Sequence, residues 1–155
     1  MKLTVISKTL EDTKRLALAI SCELFQGAVI SLDGDLGAGK TTFTKSLAKG
    51  LEIKEEVSSP TFNILKCYFN GKLPLYHIDA YRFEDHINVD VGLEEVIEGD
   101  GVCVIEWGKF ISQLIFEPLN IKITILENND RQFEIESNYS KYDKVIQKVK
   151  EEFNV

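Results

Sequence analysis

The sequence predicts an α/β domain built on a mixed, mostly parallel sheet, with helices on both faces and one antiparallel hairpin. Three observations carry that expectation. Short apolar runs alternate with helix-patterned stretches, the signature of strands joined by crossover helices. A glycine-rich turn at 34–39 joins one apolar run directly to a helical stretch. Asn70-Gly71 stands between two further apolar runs, a strong hairpin cue because both residues of the tightest turns need positive φ.

Each element follows in order. Residues 3–6 read as a strand. Thr9, three residues before Asp12, opens a helix in a capping-box pattern, with Leu16, Ile20 and Leu24 on one face as far as about Phe25. Gly27 breaks it. Residues 28–32 form a second strand, and a helix is predicted from about 41 to 51. The hairpin pairs 61–69 with 73–78. A helix is expected over about 89–98, a buried strand at 102–105 and a short helix at 109–116. A β-pair, 121–126 with 132–136, precedes a last helix whose Tyr142, Val145, Ile146, Val149 and Phe153 recur at helical spacing and read as core cover.

Composition bounds the function. The chain of 155 residues is the size of one domain, 44% hydrophobic and 28% charged, and can bury a core without disulfide or metal. No apolar run approaches the roughly 18 residues that spanning a membrane needs, and the first residues lack a leader pattern. Cys22, Cys67 and Cys103 are too scattered for a disulfide framework or a paired metal site, which predicts a reduced, cytoplasmic protein. The net charge of −7 disfavours unaided binding to a phosphate backbone. Seven acids and no Lys or Arg lie between Glu84 and Asp100, a solvated face or a docking surface for a basic partner.

Residues 34–41 read GDLGAGKT, a full match to G-x-x-x-x-G-K-[ST] between an apolar strand and a helix. This predicts a P-loop NTPase-like fold. Gly34, Gly37 and Gly39 let the backbone turn successive N–H groups inward as an anion nest. Lys40 places an ammonium on the β- and γ-phosphates, the Thr41 hydroxyl can ligate Mg²⁺, and the helix dipole adds positive potential. Such a site also needs a carboxylate at the end of a neighbouring strand. Asp79 and Glu106 both qualify, and spacing alone does not say which touches the metal. If Asp79 lies at the site, the antiparallel strand before it starts there, which puts Ser58, Ser59 and Thr61 beside the phosphates like a nucleotide-sensing switch; an ordinary Ser/Pro turn is the plainer reading. Trp107, directly after Glu106, could stack on or gate the site. His77 and His86 are assigned no role.

Among NTPase classes, the guanine-reading N-K-x-D and the D-x-x-G motif are absent, which leaves ATP as the default. Three arginines (Arg15, Arg82 and Arg131) are few for a small-molecule kinase, although Arg82 or Arg131 could add a charge at the phosphates. That kinase reading and a nucleotide-gated binding module with incidental turnover stand as alternatives to an ATPase.

Taken in order, GDLGAGKTT at 34–42, SPTF at 59–62, YHIDAYR at 76–82 and IEW at 105–107 resemble the bacterial TsaE family over about half the chain. That family supplies the ATPase component of the machinery making threonylcarbamoyladenosine on tRNA. The resemblance implies an ATPase weak alone, with ATP and Mg²⁺ as cofactors. Its partners would be the protein subunits that transfer threonylcarbamoyl to adenosine 37, with tRNA met only indirectly. It further implies that Gly37, Ala38, Gly39, Lys40, Thr41 and Thr42 wrap the phosphates, that Thr41 and Glu106 bind Mg²⁺, and that Asp79 assists hydrolysis. Trp107 and Arg131 would lie near the nucleotide, and the turn at 7–10 near adenine. Nucleotide-driven reset of the partner complex is then the expected task.

Overall fold

The computed structural model describes residues 1–35, 37–58, 64–84 and 92–155, apart from the side chain of Arg82. The strands are β1 (Lys2–Ser7), β2 (Val29–Gly34), β3 (Leu65–Tyr68), β4 (Leu75–Asp79), β5 (Val102–Glu106), β6 (Leu119–Ile125) and β7 (Arg131–Glu136). The helices are α1 (Leu10–Cys22), α2 (Lys40–Gly50), α3 (Leu93–Ile97) and α4 (Asp143–Phe153). One seven-stranded sheet has the order β1-β7-β6-β2-β5-β4-β3. β2 lies at its centre with parallel neighbours β5 and β6, and β4 is parallel to β5. β3 and β7 run the other way. The expected mixed, mostly parallel sheet is therefore present.

Alternation along the central strands divides the core into two layers. Ile30, Leu32 and Val104 face α1, α2 and α4, where they meet Leu16, Ile20, Phe43, Leu47 and Val145. Val29, Cys103 and Ile105 face the other way, against Leu93, Ile97 and Ile111. Helices thus cover both faces. The fully buried Tyr142 ties α4 to the start of β2: its hydroxyl accepts from the Val29 N–H at 2.8 Å and donates to the Val29 carbonyl at 3.2 Å. No helix among the described residues is long and apolar enough to cross a membrane.

The elements differ from expectation in instructive places. α1 stops at Cys22, short of Phe25. The expected helix over 89–98 is described only from Gly92 and forms one short turn, α3. The stretch over 109–116 winds as a tighter 3₁₀ helix, Gly108–Leu114, interrupted at Ile111 (φ −130°). The Asn-Gly turn is the clearest correction. Six residues separate β3 from β4, and neither Asn70 nor Gly71 has positive φ. The loop folds onto the end of α2 instead. The Lys72 N–H donates to the Leu51 carbonyl at 2.8 Å and the Lys54 N–H to Asn70 Oδ1 at 3.2 Å. A Cβ on Gly71 would stand 2.4 Å from the Leu51 carbonyl oxygen, so glycine is needed there for close approach.

Candidate functional site

The loop between β2 and α2 takes its shape from glycines with different duties. Gly37 (φ 82°) and Gly39 (φ 107°) hold the left-handed region that side chains disfavour. Gly34 does not, against expectation. Its need is space, since a Cβ there would meet the Ile123 carbonyl oxygen of β6 at 3.1 Å. The two long neighbouring helices begin differently. α1 is capped by Thr9, whose Oγ1 accepts from the Asp12 N–H at 3.1 Å, and carries Glu11 and Asp12 in its first turn. α2 begins at Gly39 with no side-chain cap and no acid in its first turn. Among the described residues no side chain caps its first N–H groups, which leaves its positive dipole end open as an anion site requires.

Lys40 opens that helix and is only 8% exposed. Its Nζ lies 3.6 Å from Glu106 Oε1 and 4.5 Å from the centroid of the Trp107 ring. Glu106 is buried at the end of β5, and its second oxygen, Oε2, is 2.6 Å from His77 Nε2 on β4. Parallel register sets His77 beside Val104 and Asp79 beside Glu106. His77 and Asp79 alternate with Leu75 on one face, the face of α2. Asp79 is half-buried, and its Oδ1 accepts from the Tyr81 N–H at 3.0 Å. Thr41 and Thr42 are half-buried in the first turn of α2.

Trp107 turns the chain out of β5 through a left-handed conformation (φ 58°). It stacks on Phe110 (6.0 Å, 7°) and meets the Tyr81 ring edge-on at 5.1 Å. From the other side of β2, Arg131 reaches the loop. Its Nε donates to the Ala38 carbonyl at 3.0 Å, and its Nη1 donates to the Asn129 carbonyl at 2.6 Å. A cleft of about 290 Å³ lies here, between the 7–10 turn, Gly37, Gly39, Thr42 and Arg131.

The expected residues Gly37, Ala38 and Gly39 thus end the loop and Lys40, Thr41 and Thr42 open α2 directly after it, with Glu106 and Trp107 on Lys40 and Arg131 on Ala38. Ser58 is exposed, its N–H donating to the Tyr68 hydroxyl at 3.4 Å while its hydroxyl takes a hydrogen bond from Lys66. Ser59, Thr61, His86 and residues 85–91 of the acidic stretch at 84–100 lie outside the described residues, as does the side chain of Arg82. Sequence reasoning missed His77 and Asn129. A signal for His77 existed in its two-residue spacing from Asp79. Among the described residues no group of three or more His, Cys, Asp or Glu forms a metal cage. A divalent ion held by Thr41 and Glu106 would draw its other ligands from phosphate and water, which suits Mg²⁺.

The family model described as threonylcarbamoyl adenosine biosynthesis protein TsaE matches residues 7–135. The chain belongs to the TsaE family. Among TsaE relatives, the Bacillus subtilis tRNA threonylcarbamoyladenosine biosynthesis protein TsaE is 42% identical over 94% of this chain and 92% of its own length. The Treponema pallidum protein of the same name is 42% identical over 84% of this chain and 97% of its own. The crystal structure of YdiB from B. subtilis superposes with a TM-score of 0.84 at 34% identity, covering 97% of this chain and 95% of that one. The TsaE match contains the loop, both strand-end carboxylates, Trp107 and Arg131.

Proposed function

We propose that this TsaE-family chain binds and hydrolyses Mg-ATP as a subunit supporting threonylcarbamoyl transfer to adenosine 37 of tRNA. The observation that carries the reading is a buried lysine, paired with a strand-end carboxylate, at the uncapped start of α2. In this reading the N–H groups of Gly37 to Thr42 hold the phosphates and Lys40 sits on the β- and γ-oxygens. Thr41 and Glu106 hold Mg²⁺, which when bound neutralises phosphate charge. Asp79 orients the attacking water. Trp107 walls the site, and the cleft between the 7–10 turn and Arg131 takes the base.

The net charge of −7 supports a division of labour in which partner proteins hold the tRNA and this subunit converts nucleotide turnover into a reset of their complex. The protein acts in the cytoplasm, weak alone and stimulated by partners. Phosphate release measured with and without the candidate transferase proteins tests this. Stimulation by the partners is expected. Binding without turnover in both conditions would replace the reading by a nucleotide-gated binding module, and phosphoryl transfer to an added acceptor by a kinase.

A further inference from the structure

We infer that His77 is the positioning residue for Glu106, dividing the two carboxylate oxygens between structure and site. The assignment rests on the Mg-ATP reading above. His77 is fully buried in β4, and its Nε2 lies 2.6 Å from Glu106 Oε2. A carboxylate can only accept, so Nε2 carries the hydrogen. Nδ1 is buried with no hydrogen-bond partner among the described residues. A core position filled for stability alone favours an apolar side chain, because a buried polar atom without a partner is costly. The imidazole is therefore held for its other nitrogen.

The register explains why a histidine at this position reaches the acid. Asp79 is the direct neighbour of Glu106 across the parallel pair, and His77 stands two residues earlier on the same face. Asp79 cannot substitute as anchor, since a carboxylate has no hydrogen to donate; it accepts from the Tyr81 N–H instead. With Oε2 on His77, Oε1 is the oxygen facing Lys40 at 3.6 Å, and so the one presented to the loop. Glutamate at a strand end otherwise has three side-chain torsions to fix. Fixing them in advance is what an outer-layer hydrogen bond does for a metal ligand.

The test is calorimetric titration of the full chain with ADP, in excess Mg²⁺ and in EDTA; the ratio of affinities is the metal enhancement. In His77→Asn the amide occupies the place of Nδ1 and falls short of Glu106, so the enhancement should drop about tenfold while the EDTA affinity stays. In His77→Gln the amide nitrogen takes the place of Nε2, and the enhancement should stay within about twofold of wild type. On a Glu106→Gln background, His77→Asn should have no further effect. A retained enhancement in His77→Asn, an equal loss in His77→Gln, or an additive loss in the double variant overturns the assignment. Should the Asn variant not fold, His77→Gln decides alone, a tenfold loss overturning the role and retention supporting it. A wild-type protein whose ADP affinity ignores Mg²⁺ refutes the parent reading instead.

Discussion

Replacing Lys40 by methionine keeps most of the buried aliphatic stem and removes the ammonium. Among the described residues that ammonium has two protein partners, Glu106 Oε1 at 3.6 Å and the Trp107 ring at 4.5 Å. Phosphate oxygens must compete with both. Two charge-assisted hydrogen bonds to phosphate contribute about 3–6 kcal/mol. Against that stand a cation–π contact of about 0.5–2 kcal/mol and a loosened ion pair of about 1 kcal/mol. With mid-range values the net is about 2 kcal/mol, so Lys40→Met should weaken nucleotide binding roughly 30-fold. Calorimetric titration with a non-hydrolysable Mg-ATP analogue measures it, and salt should weaken the wild type more than the variant. Affinity within about twofold of wild type would refute the P-loop reading. Thermal unfolding should fall only modestly, because Glu106 keeps the hydrogen from His77.

The two carboxylates should separate by phenotype: Glu106→Gln should reduce the Mg²⁺ dependence of nucleotide binding about tenfold or more, while Asp79→Asn should retain binding and lose turnover. Swapped phenotypes in paired titration and phosphate-release assays would exchange their roles. Amide exchange over 57–62 should slow when an ATP analogue replaces ADP, and exchange over 84–100 should slow when the partner complex is added; identical protection removes the switch and the docking face respectively. Burial pushes the Cys103 thiol up to about 12, so alkylation at pH 8 should label the exposed Cys22 and Cys67 in the native protein and reach Cys103 only in denaturant. The same shift has a sign for stability. The contribution from keeping Cys103 neutral is complete below about pH 9 and is lost as pH rises toward 12, which urea titrations across that range would read.

Local chemistry made much of this site legible. Gly37, Gly39, Lys40 and Thr41 are contiguous and each carries its own conformational or charge demand, so one stretch of sequence is enough. Asp79 and Glu106 were legible as strand ends for the same reason. The link between His77 and Glu106 was not, because it depends on the register of β4 against β5, and parallel register is set by the whole sheet rather than by nearby residues. Arg131 resembled a phosphate-binding charge. Its Nε and Nη1 also donate to the carbonyls of Ala38 and Asn129, a brace for the loop that only the tertiary fold reveals. The Asn-Gly signal failed through competition. Asn70 caps an N–H beyond the end of α2, and that long-range contact outweighs the local preference for a tight turn.

The docking of that hairpin tip bears on how loss-of-function maps of this protein should be interpreted. α2 has eleven residues, so its ends lie about 16 Å apart. One end frames the glycine loop and the other is gripped by the tip at Gly71. A helix is stiff along its axis, so a shift imposed at the gripped end is expected to be felt at the other. A side chain introduced at Gly71 must push on Leu51 and Ile53, and the expected consequence is a displaced start of α2 at Gly39. A mutational scan would therefore score a surface glycine as though it belonged to the site, and an insertion at this tip, where a hairpin ordinarily tolerates one, would act as a long-range inhibitor of the loop.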